Sequence, residues 1–223
     1  MRGRLLLLLA ASLAAGVGAL MVGPVEVPLD QLFAAFRGRA DPAVQTIVTG
    51  LRLPRVLLSA EVGAGLAVSG AVFQALLRNP LAEPYVLGVS GGAAVGAVTA
   101  IVLGLTAASV VALPVAAFGG AVGAMFLVLA MARAQGRGLD TRVLLLSGVV
   151  IGAFFNAIIL LIINFADVET FRAALLWMMG SFSGASGRGV LATSAYLIPA
   201  LAVLLLLARP LNLLSVGEQS AFH

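Results

Sequence analysis

Few side chains in this sequence are equipped for chemistry. Arg52 and Arg55 stand three apart on either side of Pro54. The guanidinium is a planar fork that pairs bidentately with carboxylates, so two of them at the mouth of an apolar helix suit acidic groups on another protein. The same pair would also serve as interfacial anchors with their stems laid along apolar surface. Glu61 is the one carboxylate inside an apolar run, and an ionisable group in that setting is a functional candidate by default. Its plainer role is a carboxyl near the interface, protonated or hydrogen-bonded to a neighbouring helix. Asn156 and Asn164 are eight apart, an offset of roughly 80° at helical pitch, so they share one broad face. They either line a polar path or hydrogen-bond between helices. There is no cysteine, and the single histidine is the last residue, His223. Disulfides and thiolate chemistry are therefore excluded, and no catalytic dyad or metal set is assigned.

Those residues have to be held by elements that live in lipid. Hydrophobic residues make up 61% of the 223-residue chain and charged ones 10%, against about 45–50% and about 25% in soluble domains. Mean hydropathy is +1.14. Apolar runs near or above the ~20 residues that cross a bilayer follow one another along the chain. The expectation is an all-α integral membrane protein, a polytopic bundle forming a single transmembrane domain. Six spans are predicted at residues 5–22, 53–77, 86–105, 107–131, 143–165 and 190–208. Basic Arg2 and Arg4 before the first run also suit a signal peptide. The run is long for a signal core and no polar cleavage region follows, which favours a retained span.

Between the spans, Leu29–Phe36 reads as a short amphipathic helix with Asp30 near its start. Pro54 fits the first turn of the second span, where a missing N–H costs nothing. Arg78-Asn79-Pro80 ends that span, and Pro84 keeps the elbow short. Asp167 is placed to cap a helix running to Gly180, with Phe171, Leu175, Leu176 and Met179 on related faces. Trp177 and Tyr85 fit interfacial anchoring. Residues 211–223 form an amphipathic tail, with Ser215 or Gly217 able to start a helix.

Small residues recur at helical spacing: Gly88, Gly92, Gly96 and Ala100 in the third span, Ala116, Gly120 and Ala124 in the fourth, and Gly148 and Gly152 before Asn156 in the fifth. In lipid, such stripes let backbones approach closely. A phosphate-binding loop in L-G-V-S-G-G-A-A-V-G is the rival reading. It fails because no strand precedes it and the Lys-Ser/Thr pair is absent.

Arginine placement orients the bundle. With the N-terminus inside, the inner segments carry a net +4 and the outer ones 0. This puts the N-terminus, the Arg78–Pro84 elbow and the C-terminal tail on the cytoplasmic side. The arginines are scattered between apolar runs, so nucleic acid is not an expected partner.

Taken in order, six segments resemble the FecCD-type permease subunits of ABC importers for iron–siderophores, haem and cobalamin. They are L-R-L-P-R at 51–55, S-G-A-V-F-Q-A-L-L-R-N-P-L-A-E-P at 69–84, L-G-V-S-G-G-A at 87–93, L-L-L-S-G-V at 144–149, W-M-M-G-S-F-S-G at 177–184 and R-P-L-N-L-L-S-V-G-E at 209–218. The resemblance covers nearly the whole chain. It implies a ten-helix permease working as a dimer, of which this sequence supplies six spans and stops within the tail motif, as a C-terminally truncated permease would.

The resemblance also implies roles. Arg52 and Arg55 match arginines that dock a periplasmic or lipid-anchored substrate-binding protein. Thr141 and Arg142 match the cytoplasmic gate, where relatives are small and polar, so Arg142 departs from the pattern. Asn156 lies on a helix bordering the translocation path. Ser215, Gly217 and Glu218 match the start of the segment that couples to the ATPase. Glu61 falls where relatives are apolar.

The implied function is alternating access driven by separate ABC ATP-binding subunits, which bind the ATP and magnesium. The chain itself is expected to hold no cofactor and to be no enzyme. A second permease subunit, a homodimer partner when full length, and membrane lipid complete the expected partners, in the cytoplasmic membrane of a prokaryote. An ion-coupled carrier would favour paired intramembrane acids or broken helices, and Glu61 stands alone. A membrane-embedded enzyme would need a nucleophile–base or metal constellation. A non-transporting scaffold fragment is the remaining alternative.

Overall fold

A computed structural model describes residues 2–109, 111–134 and 140–216. The described residues are helical, with no strand among them. The chain divides into two compact units, Met1–Leu66 with Phe182–Leu206, and Ala67–Ser181 with Leu207–His223. Helix α4 runs from one into the other.

The first unit opens with α1 (Arg2–Met21), α2 (Leu29–Phe36) and α3 (Pro42–Gln45). A π-helical segment, Thr46–Arg52, then leads into α4 (Leu53–Leu77). Asp41 begins α3 by accepting from the Ala43 N–H at 2.8 Å, with Pro42 in the first turn. Leu20, Val27, Leu32, Ala35 and Val48 form a small buried core where α1, α2 and the π-helical segment meet, with Met21, Val44, Leu53 and Val56 packed around it.

Helix α4 has the predicted bounds, with Pro54 in its first turn, and the helical run ahead of it reaches further back. The apolar helical run is continuous over Pro42–Leu77, 36 residues. Pro54 offers no N–H to the carbonyl one turn back, and its ring crowds that carbonyl. The wider turn just before it, in which the Leu53 N–H reaches Val48 O, removes the clash. Helix α10 (Gly187–Leu206), with Pro199 inside it, completes this unit.

The second unit holds α5 (Val89–Val102), α6 (Leu105–Ala108), α7 (Ala112–Ala134), α8 (Thr141–Asn164), α9 (Val168–Met179) and α11 (Ala208–Val216). The glycine stripes do what their spacing predicts. A Cβ on Gly92 would lie 2.5 Å from the Ala124 Cβ, and one on Gly96 would overlap the Ala116 carbonyl oxygen. Helices α5 and α7 therefore touch backbone to backbone. Val98, Ile159, Ile163 and Ala174 bury α5 against α8 and α9. Leu77, Ala82 and Leu87 form a second cluster, with Phe73, Leu144 and Leu145 around it, beside the elbow. Within the elbow the Asn79 side chain accepts from the Leu81 N–H at 2.9 Å, and the Ala82 N–H reaches Asn79 O at 3.0 Å.

Several bounds differ from the sequence reading. The third predicted span, 86–105, is a helix only over Val89–Val102, 14 residues. Gly88 is not on its stripe: it sits at the N-cap with φ +72°, a left-handed conformation that glycine adopts without strain. The fourth helix begins at Ala112, after α6, rather than at 107. The tail is already helical from Ala208, before Ser215. Among the described residues, five helices are long and apolar enough to cross a membrane, and α5 is shorter. Asp167 caps α9 as predicted, and Gly180 ends it at φ +76°.

Candidate functional site

Arg52 and Arg55 share one helical run but do different things. Arg52 is the last residue of the π-helical segment and is half-buried. Its Nη1 donates to Leu20 O at 2.7 Å and Met21 O at 3.0 Å, and its Nη2 donates to Val25 O. The first two carbonyls belong to the last turn of α1, whose unsatisfied acceptors and negative dipole end favour a cation. Gly23 leaves room for the fork, since a Cβ there would lie 2.7 Å from Nη2. Arg55 is exposed, and its Nε donates to Phe182 O at 3.3 Å. The pair is thus not a matched pair of outward cations. Sequence spacing placed both on one helix but carried no sign of the carbonyls, which lie 27 to 32 positions away for Arg52 and 127 for Arg55.

Glu61 lies on α4 and is half-buried. The Ser194 hydroxyl of α10 donates to its Oε1, while Oε2 is buried and has no hydrogen-bond partner among the described residues. Of the sequence readings, this is the hydrogen bond to a neighbouring helix. Ser194 carried no signal of its own.

In the second unit a cavity of about 280 Å³ is lined by Tyr85, Val86, Gly88, Gly91, Val149, Gly152, Ala153 and Asn156. It lies where the elbow and the start of α5 meet the middle of α8. Glycines 88, 91 and 152 keep its walls at backbone level, and the Asn156 amide is a polar group in an otherwise largely apolar lining. Of the residues singled out by sequence, Asn156, Tyr85, Gly88 and Gly152 are brought here. Asn164 lies at the far end of the same helix, two turns on.

Thr141 and Arg142 form the first turn of α8. Asp140 caps that turn, accepting from the Arg142 N–H at 2.8 Å, and the Arg142 side chain is exposed. They lie about four turns from Asn156 along α8, so the first turn of α8 and the cavity are separate places on one rod. Ser147, between them, is fully buried, and its hydroxyl has no partner among the described residues. Ser215 falls within α11, while Gly217 and Glu218 lie outside the described residues. Among the described residues no three His, Cys, Asp or Glu side chains gather as a metal-ligand set.

The model of the FecCD transport family matches residues 6–223. The chain is 44% identical over 178 residues to the cobalamin import system permease protein BtuC of Halobacterium salinarum, covering 79% of this chain and 47% of the relative. It is 35% identical over 223 residues to the ABC transporter permease protein YvrB of Bacillus subtilis, covering 96% of this chain and 62% of the relative. It is 43% identical over 180 residues to the vitamin B12 import system permease protein BtuC of Escherichia coli, covering 81% and 54%. The chain therefore spans about half to three-fifths of the length of these relatives. A solved structure described as an inward-facing conformation of a transporter assigned to the metal-chelate ABC type superposes with a TM-score of 0.84 at 30% identity. That match covers 99% of this chain and 67% of that one.

Proposed function

The chain belongs to the FecCD transport family, and from that membership we propose that it works as the membrane-spanning permease subunit of an ATP-driven importer for a metal chelate or corrinoid. The observation that carries this reading is the family match over residues 6–223, on a multi-pass helical fold. The relatives named for cobalamin, at 43–44% identity, support a corrinoid within the iron–siderophore, haem and cobalamin group.

The mechanism proposed is alternating access. A substrate-binding protein docks on the edge of the first unit that carries Arg52 and Arg55 and delivers its cargo. The cavity at Asn156 borders the path, where a lone amide among apolar walls gives a passing polar ligand one weak, exchangeable contact. Thr141 and Arg142, at the capped start of α8, sit at the inner gate. Separate ABC subunits bind ATP and magnesium, and Ser215, Gly217 and Glu218 begin the segment they move. A second permease subunit closes the path from the other side, in the cytoplasmic membrane. This chain carries substrate and contacts partners; the hydrolysis belongs to the ATP-binding subunits.

The test is coupling within the assembled importer. Glu218→Ala and Gly217→Pro should abolish ATPase stimulation by the loaded binding protein while the ATP-binding subunit still folds and binds nucleotide. Unchanged stimulation in both variants would remove the coupling assignment.

A further inference from the structure

We propose that α2 is an interfacial foot: Leu29, Phe33 and Phe36 lie in the boundary layer of the bilayer, and Arg37 and Arg39 at its end hold the phosphate of an anionic phospholipid.

The shape of α2 suits that place. At about 100° per residue, Leu29, Phe33 and Phe36 fall on one stripe about 60° wide. They are 50%, 59% and 51% exposed. Leu32 and Ala35, on the adjoining stripe, are buried in the small core with Leu20, Val27 and Val48. Asp30 and Gln31 occupy the remaining side and are exposed. The helix thus has one side against its own unit, one apolar side uncovered among the described residues, and one polar side. A helix lying in the membrane plane needs that division, with its apolar side sunk about 5–10 Å into the boundary of headgroups and acyl chains.

Depth decides what covers the apolar side. Helix α1 is apolar over Gly3–Met21, 19 residues, about the length that crosses a bilayer core. The cluster sets α2 against Leu20, in the last turn of α1. It also includes Val48, near the start of the 36-residue Pro42–Leu77 run, which is about 16 residues longer than a crossing needs. Helix α2 therefore lies where α1 leaves the hydrocarbon, and lipid is what its uncovered stripe meets there.

The arginines stand at the end of this foot. The backbone closes that end by itself: the Gly38 N–H reaches Ala35 O at 3.1 Å and the Arg39 N–H reaches Ala34 O at 2.8 Å, with Gly38 at φ +66°. Neither guanidinium is needed as a cap, and both arginines are exposed. The neighbouring acid, Asp41, accepts from the Ala43 N–H. A guanidinium pairs bidentately with phosphate oxygens, and basic side chains beside an apolar stripe favour anionic headgroups.

The test places a bimane fluorophore on the intact importer in phosphatidylcholine vesicles holding a small fraction of phosphatidylglycerol. This chain has no native cysteine, so Phe33→Cys or Gln31→Cys carries the label in the full-length permease, with other cysteines of the assembly replaced. Brominated phosphatidylcholine should quench the label at Phe33→Cys and aqueous iodide should not; at Gln31→Cys the order should reverse. Iodide quenching at Phe33→Cys puts the stripe in water, and quenching by neither reagent puts it against protein; each overturns the foot. Brominated phosphatidylglycerol should quench Phe33→Cys about fivefold more per mole than brominated phosphatidylcholine. Arg37→Gln with Arg39→Gln should abolish that preference and keep the phosphatidylcholine quenching, which shows the helix still seated. Equal quenching by the two lipids in the parent, or an unaltered preference in the double variant, overturns the phosphate site.

Discussion

Gly92 of α5 and Gly120 of α7 face each other reciprocally: a Cβ on either would overlap the carbonyl oxygen of the other. Gly96 repeats the contact one turn along, against Ala116 O. This seam has no room for a methyl group, because the obstruction is backbone and cannot swing aside. Gly96→Ala should lower stability by about 1–3 kcal/mol. Gly123→Ala on the same α7, where nothing lies within 4 Å of the added carbon, should be neutral or slightly stabilising. Thermal unfolding of the purified protein in detergent distinguishes them, and equal losses at the two positions would refute the seam.

The hydrogen bond between Ser194 and Glu61 ties α10 to α4. Ser194→Ala strips the carboxyl of its partner at Oε1, while Oε2 already has none among the described residues. The single variant should therefore destabilise by about 0.5–2 kcal/mol. Adding Glu61→Leu should recover most of that loss, since removing both partners avoids an orphaned buried group. A double-mutant cycle with no coupling would show that the bond contributes nothing.

Ser147 poses the opposite case. Its buried hydroxyl finds no partner among the described residues, on a helix face packed from all sides. Ser147→Ala should raise stability by about 1 kcal/mol. A lower melting temperature would mean that the hydroxyl is bonded after all.

At the start of α9 the backbone N–H and hydroxyl of Thr170, with the Glu169 N–H, hold the Asp167 carboxyl below its ordinary value of 3.8. A depressed folded value stabilises the charged form. Its contribution is complete above 3.8 and is lost as pH falls through the lower folded value. Asp167→Ala should lower the melting temperature near neutral pH, and the gap to the parent should narrow as pH falls below 3.8. Asp167→Asn keeps a neutral cap and should show little of that pH dependence. A gap independent of pH would contradict the assignment.

The α9 cap was legible because everything it needs is local. Asp167, Thr170 and Gly180 lie within one short stretch, and a helix start and stop are written in residue types at fixed offsets. The glycine seam was legible for a related reason, since helical spacing alone puts small residues on one stripe. Gly88 broke that pattern because period cannot tell the last residue of a turn from the first of a helix. The resemblance to permeases found Arg52 and Arg55 but not their different hydrogen bonds. These depend on carbonyls at Leu20, Met21 and Val25 and on Phe182 O, contacts made by folding across 27 to 127 positions. Ser194 reaches Glu61 across 133 positions and was invisible for the same reason. Pro54 was placed correctly in the first turn of α4, but the π-helical segment before it left no sign, because proline in a first turn and proline after a widened turn share one sequence.

The proposed transport is measured most directly by uptake into proteoliposomes holding the full-length permease with the ATP-binding subunits, supplied with loaded binding protein. Radiolabelled cobalamin and a ferric siderophore are the probes. Accumulation of at least one of them is expected, requiring ATP on the side of the membrane that carries the ATP-binding subunits and indifferent to proton and sodium gradients. Accumulation driven by an ion gradient with no nucleotide present would contradict it.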